Sequence, residues 1–524
     1  MSGTVANSEW KPRFNPWLIA VSVTLAAFME ILDTTIVNVA LPHIAGTMSA
    51  SNDEATWTLT SYLVANGIVL TISGWLGDML GRKRYFLICL GMFTVCSFLC
   101  GIADSLGQLI IFRLMQGFFG GGLQPNQQSI ILDSFPPAKR GAAFGVAAIA
   151  TVVAPILGPT LGGIITDNAS WRWIFFINVP VGILAVFFNS ILVEDPPWEK
   201  NKRSRGIDFI GLSLITIGLG SLQVMMDRGQ DDDWFSSPFI VATGLVAFLG
   251  ILSAVLWLLV AKRPIVHLEV FKDKNFAGGC LMMGAVGAVL YASAVIIPQL
   301  AQAILGYTAT WSGLILSPGG VVVIVLIPII GRLMTVMQTR LIVALGFFIM
   351  GCALVYSSGI TPNIDFGTLV LMRSFQSAAL AFLFVPISTL AYLTLPLKYR
   401  GDGAALFSMV RNVFGSIGVS LSTALVEQRS QIHQSYLSQW FSPFHQPYNA
   451  LVARYQQTLA GTGHYGAGAH AIAVGQVYRQ FVTQVAILAY SDVFLLLGLV
   501  AFAVVPFCFL LTGKTGGGAP GAAH

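Results

Sequence analysis

Gly74-Trp75-Leu76-Gly77-Asp78-Met79-Leu80-Gly81-Arg82-Lys83-Arg84 is the stretch on which the fold turns. It closes one apolar run and opens another, with an acid and three consecutive bases between them. Charges wedged between two membrane-length hydrophobic segments are costly unless they sit at a water boundary. Lys and Arg are retained in short cytoplasmic loops, so this cluster fixes the direction of threading. Gly74, Gly77 and Gly81 remove side chains where two helices approach closely. The stretch reads as a cytoplasmic hinge between two transmembrane helices.

The composition around it agrees. The chain has 524 residues, 55% of them apolar and only 10% charged. A soluble chain carries about 25% charge. No water-soluble core hides this much apolar sequence, so the bilayer is the solvent and an all-α integral membrane protein is expected. The net charge of +5 calls for no nucleic-acid partner, because the bases fall in short loops. All six cysteines lie within apolar runs without metal spacing, and no disulfide, metal or cofactor is expected. The first apolar run is too long for a signal-peptide core and reads as the first helix.

Apolar runs of spanning length fall near 16–42, 57–78, 85–104, 107–132, 141–166, 173–193, 207–227, 238–261, 276–304, 311–334, 340–360, 366–394, 403–427 and 485–512. Fourteen helices put both termini on one side. Loops on that side carry Arg82, Lys83, Arg84, Lys139, Arg140, Lys200, Lys202, Lys262, Lys272, Arg332, Arg340, Lys398 and Arg400. The opposite loops carry few bases, together with acids such as Asp53, Asp231 and Asp232. Both termini are therefore expected in the cytoplasm. An internal repeat recurs at a spacing of about 260 residues: Arg113-x-x-Gln116 as Arg373-x-x-Gln376, and Arg140-Gly141 as Arg400-Gly401. Two parallel six-helix halves with a site between them is a transporter arrangement. The expected division is a cytoplasmic N-terminus (1–15), a first bundle (16–193), a linker (194–206), two extra helices (207–261), a second linker (262–275), a second bundle (276–512) and a disordered tail (513–524). A segment rich in Gln, His, Tyr and Gly, 429–484, lies outside the membrane within the second bundle's span.

Ionisable groups deep in apolar helices are candidates for function. Glu30 and Asp33 share one face of the first helix, and Arg113 lies on the fourth. At 1.5 Å per residue Asp33 is about 14 Å and Arg113 about 9 Å from their outer ends, so they can meet. Two readings stay open: a titratable acid coupled to Arg113, or a static buried ion pair that fixes packing. The fifth helix contains Pro155, Gly158, Pro159, Gly162 and Gly163, which break its hydrogen-bond ladder and admit a close neighbour. Trp171-Arg172-Trp173 with Asn178 and Pro180 is expected at the outer interface. Asn38, Gln116, Gln124, Asn126, Tyr291, Gln299, Gln302, Arg373 and Gln376 are candidates to line a cavity, or else to hydrogen-bond between helices.

Together these features resemble the major facilitator superfamily and, more narrowly, its fourteen-helix drug:proton antiporters of the EmrB/QacA type. Four motifs carry the resemblance: Leu32–Pro42, Gly74–Arg84, Arg113-x-x-Gln116-Gly117, and Gly158-Pro159-x-x-Gly162-Gly163 followed by Trp171–Pro180. Ala154 stands where the fifth-helix motif usually opens with glycine. The resemblance implies two six-helix bundles plus two additional helices. It implies an antiport motif at Pro155, Gly158, Pro159, Gly162 and Gly163, and a cytoplasmic gate of Asp78 and Arg82 with Gly74, Gly81 and Lys83. It places Asp33 and Arg113 in proton coupling, and Glu30, on the same helix face as Asp33, is a further candidate for that role. It also implies a bacterial inner-membrane location, an EmrA-like membrane fusion protein and a TolC-like outer-membrane channel as partners.

The expected function is proton-driven export of amphipathic or cationic toxic compounds. The alternative is a dedicated exporter or importer of one metabolite. An enzyme would need a converging nucleophile, base or metal set. No HExxH or GxSxG pattern occurs, and the histidines are isolated or fall in the outer segment and tail.

Overall fold

A computed structural model describes residues 12–197, 208–262, 264–396, 399–460 and 466–511. Most of the expected first linker and all of the tail 513–524 lie outside the described residues. The first half comprises α1 (Pro16–Thr47), α2 (Asn52–Leu80), α3 (Arg82–Gly101), α4 (Leu106–Gly120), α5 (Leu123–Ser134), α6 (Pro137–Asn168), α7 (Trp173–Phe176) and α8 (Asn178–Leu192). Two further helices, α9 (Phe209–Arg228) and α10 (Pro238–Val260), precede the second half. That half contains α11 (Lys274–Gln299), α12 (Ala309–Val336), α13 (Thr339–Ser357), α14 (Phe366–Ala391), α15 (Arg400–Ser438), α16 (Gln446–Ala460) and α17 (Gly466–Val504).

Thirteen stretches of these helices are long and apolar enough to cross a membrane. The remaining expected crossing, 107–132, is not one helix. It breaks at Gly121-Gly122 into α4 and α5, which together supply the fourteenth crossing. The break has a packing cause: a Cβ at Gly121 would strike the Asn66 carbonyl of α2, and one at Gly122 would strike Cys89 and Tyr85 of α3. Local capping sets other boundaries. Asn15 accepts from the Trp17 amide at 3.0 Å, and Ser51 with Glu54 forms a reciprocal capping box at the start of α2. Gly81 takes φ +85°, which reverses the chain between α2 and α3 at little steric cost.

Within each half the helices pack pairwise: α1 on α6 and α2 on α4, then α11 on α15 and α13 on α14. The halves meet where α6 lies on α12 and α2 on α15. The extra helix α9 crosses this second seam, touching both α2 and α15. Its Gly218 lies backbone to backbone against Gly250 of α10. The outer face of α10 carries exposed Phe248, Leu249, Leu252, Leu256 and Leu259, a surface suited to lipid.

The described residues of the segment 429–484 are mostly helical rather than a plain polar connection. α15 has 39 residues and α17 also has 39, each about 58 Å long against a hydrocarbon core of about 30 Å. The expected runs 403–427 and 485–512 are therefore corrected to longer helices whose ends project beyond the apolar layer. There α17 packs with α16 around Val452, Ala473 and Val477, a small core separate from the main one. Asp492 accepts from His433 Nε2 at 2.9 Å and pairs with Arg429 at 3.8 Å, bracing the two projecting helices.

Candidate functional site

The first half is organised around one buried ion pair. Arg113 Nη1 of α4 lies 2.5 Å from Asp33 Oδ2 of α1, and both side chains are wholly buried. Each partner is further held. Arg113 Nε donates to the Thr58 carbonyl at 3.2 Å, and Nη1 also donates to Gln116 Oε1 at 2.8 Å. Gln116 Nε2 and Asn178 Nδ2 both donate to Asp33 Oδ1, at 3.1 and 2.8 Å. The guanidinium stacks over Tyr62 with 4.1 Å to the ring centre. A carboxylate held by three donors is a satisfied buried charge, and removal of one partner strands the other. Asn178 is here corrected: it is not at the outer interface but 2% exposed and turned inward, because α8 starts at that residue and directs it toward α1.

Glu30, one turn along α1, forms a second centre that reaches the other half. Its carboxylate accepts from Gln124 Nε2 at 2.5 Å, Asn66 Nδ2 at 2.9 Å and the Tyr62 hydroxyl at 3.4 Å. Gln124 turns its oxygen to Nη2 of Arg411, a fully buried residue of α15. One amide thus bridges an acid of the first half and a base of the second. Tyr291 stands beside Arg411, and Gln128 links the halves again by donating to Ser408 at 3.1 Å and accepting from Tyr392 at 2.7 Å.

The end carrying the Gly74–Arg84 loop, here the basic end, is latched. Arg82 meets Asp133 Oδ2 of α5, while Arg400 of α15 donates to Asp133 Oδ1 at 3.1 Å. A Cβ at Gly74 would collide with the backbone of Gly401 and Asp402, so the two halves touch at that glycine. Asp78 lies at the same contact, its Oδ1 3.8 Å from where a Cβ at Gly401 would stand. Lys83 contributes its backbone amide, which donates to Asp195 at 2.8 Å. Asp402 in turn meets His267 Nδ1 at 2.6 Å.

Other candidates divide. Gly158 and Gly162 of α6 face Thr35 and Ile36 of α1, two and three residues beyond Asp33, closely enough that a Cβ would clash. Pro155 and Pro159 lie within that helix, as does Gly163. Asn126 is buried against Gly77 of α2 and donates to the Gly122 carbonyl at 2.8 Å, a packing position. Asn38, Gln299 and Gln302 are exposed and are not drawn into the buried network, although Gln302 donates to Ser312 at 3.3 Å. Arg373 and Gln376 form their own buried cluster in the second half. Tyr62, Asn66, Asp133, Ser408 and Asp402 join these contacts without a motif that singles them out in the sequence. Their common signal, a polar side chain in a spanning run, is shared with many residues that only join helices. Among the described residues no group of three or more His, Cys, Asp or Glu is placed to hold a metal ion.

Comparison with known proteins supplies the family. The sequence profile of the Major Facilitator Superfamily matches residues 23–419. The chain is 38% identical over 517 residues to the multidrug export protein EmrB of Escherichia coli K12, covering 97% of this chain and 98% of that one. It is 39% identical over 429 residues to the EmrB of Haemophilus influenzae, covering 82% and 84% of the two chains. Among solved structures, the proton:xylose symporter XylE bound to 6-bromo-6-deoxy-D-glucose shares the fold, with a TM-score of 0.58 at 13% identity over 94% of this chain and 96% of that one. The repeated halves, the basic latch and the profile agree: the chain belongs to the major facilitator superfamily.

Proposed function

We propose that this chain is a proton-coupled multidrug efflux transporter that exports amphipathic or cationic toxic compounds by alternating access. The observation that carries the reading is the arrangement of two buried acids on one helix. Asp33 is paired within the first half, and Glu30 is joined through Gln124 to Arg411 of the second. A buried carboxylate changes its hydrogen-bonding needs when it gains a proton, which alters how firmly the halves are tied. Asp33, Glu30 and Arg113 serve as the coupling set. Gly74, Asp78, Gly81, Arg82 and Lys83, extended by Asp133 and Arg400, form the cytoplasmic gate. Gln116, Gln124, Tyr291, Arg373 and Gln376 are the residues we assign to a substrate cavity, and of these Gln124 and Tyr291 lie where bundles 16–193 and 276–512 meet. Similarity to EmrB favours drugs as cargo. It also favours a bacterial inner-membrane location, cytoplasmic termini, and an EmrA-like fusion protein with a TolC-like channel as partners. The projecting helices around 429–484 are the natural docking region for such a partner.

The test is dye uptake into inside-out vesicles with an imposed proton gradient. Several unrelated dyes should be accumulated by the wild type and released when the gradient is collapsed. Accumulation of a single compound, or accumulation indifferent to the gradient, overturns the reading.

A further inference from the structure

The second half repeats part of the buried constellation of the first, with the acid exchanged. At an offset of 260 residues, Arg113 corresponds to Arg373, Gln116 to Gln376 and Ser97 to Ser357. The geometry follows: Arg373 Nη1 donates to Gln376 Oε1 at 3.4 Å, and Gln376 Nε2 donates to Ser357 at 2.9 Å. At the same offset Asp33 corresponds to Ser293, whose hydroxyl accepts from Arg373 Nη1 at 2.6 Å. The second half has kept the arginine and replaced its acid with a neutral hydroxyl.

Arg373 is wholly buried, and no carboxylate stands within ion-pair distance of it among the described residues. Its Nε and Nη2 have no hydrogen-bond partner. These two nitrogens form one side of the guanidinium, the parallel fork that binds a carboxylate or comparable anion bidentately. On Arg113 the corresponding Nε is occupied by the Thr58 carbonyl. One turn along α14, the buried Ser377 hydroxyl is also without a partner. A guanidinium keeps its proton, and an uncompensated charge within the membrane is expensive.

We infer that Arg373 is an anion-binding site, its Nε/Nη2 fork holding either a small inorganic anion or the carboxylate of a cargo molecule in place of the missing acid. The site deepens the proposed cavity by assigning a ligand chemistry to one of its residues. An equilibrium readout that needs no transport keeps its failure distinct from a failure of export.

The experiment uses the full chain in lipid nanodiscs and follows thermal unfolding. Chloride is titrated into halide-free isethionate medium; in parallel, octanoate is compared with uncharged octanamide. The wild type should melt about 3 °C or more higher with the bound anion. A chloride response identifies an inorganic ion, and an octanoate response absent with octanamide identifies a cargo carboxylate. R373Q should lose the response at least tenfold. S293D, which restores the acid of the first half, should be anion-independent and melt above R373Q. A wild type indifferent to both anions, or an S293D protein that responds as the wild type does, overturns the assignment.

Discussion

Arg82 of the first half and Arg400 of the second close on opposite oxygens of one carboxylate, Asp133. The carboxylate side chain is only 4% exposed, so water offers it little alternative. The latch sets two cations on one carboxylate. D133N removes the carboxylate that Arg82 and Arg400 share. Weakening the closure by about 1.4 kcal/mol shifts the open-to-closed ratio tenfold. Cysteine labelling near the basic end should therefore accelerate about tenfold in D133N, while export falls. Unchanged labelling would remove Asp133 from the gate.

Asp33 and Arg113 invite a comparison of single and double variants. In D33N the guanidinium loses its counter-charge inside the membrane, and breaking such a buried pair costs about 3–5 kcal/mol. D33N/R113Q removes both charges and should melt above D33N alone. Both variants should lose export driven by a pH gradient. A D33N protein that exports fully at an imposed gradient would reduce the pair to a packing device.

Glu30 reaches the second half through Gln124 and Arg411, and E30Q preserves the side chain's volume while deleting its charge. Coulomb attraction to a cationic cargo disappears, whereas apolar contacts remain. A cationic dye should bind about tenfold more weakly to E30Q, and a neutral dye within about twofold of the wild type. Equilibrium fluorescence titration of the purified protein reads both. An equal loss for the two dyes would assign Glu30 to structure alone.

The fold was legible because hydrocarbon imposes length and charge rules that survive without tertiary information. The Gly74–Arg84 loop, the run lengths and the repeated Arg-x-x-Gln all carry those rules. Depth in the membrane allowed Asp33 and Arg113 to meet, and the structure pairs them. The break in 107–132 was not legible, because its cause lies in Asn66 and Tyr85 on neighbouring helices. Asn178 was misplaced for a related reason. Its aromatic neighbours signal an interface, while the inward turn arises only from the packing of α8 on α1 and α3. Asp133 was missed because its partners, Arg82 and Arg400, lie 51 and 267 residues away. The segment 429–484 is polar enough to read as non-membrane, yet its helices form because α16 and α17 supply a small apolar core of their own.

Gly117 tests how tightly the buried pair depends on its surroundings. It follows Gln116 on α4 and packs against the backbone of Tyr62, closely enough that a Cβ would overlap the Tyr62 carbonyl. Tyr62 cannot yield freely, because its ring lies beneath Arg113 and its hydroxyl donates to Glu30. G117A must therefore push α2 from α4 or displace the tyrosine, an overpacking cost of about 1–3 kcal/mol. Either movement disturbs both acids at once. Thermal unfolding should show the loss, and export should fall for cationic and neutral dyes alike, unlike the charge-selective defect of E30Q. If G117A is as stable and as active as the wild type, the close approach of α4 to α2 does not constrain the coupling pair.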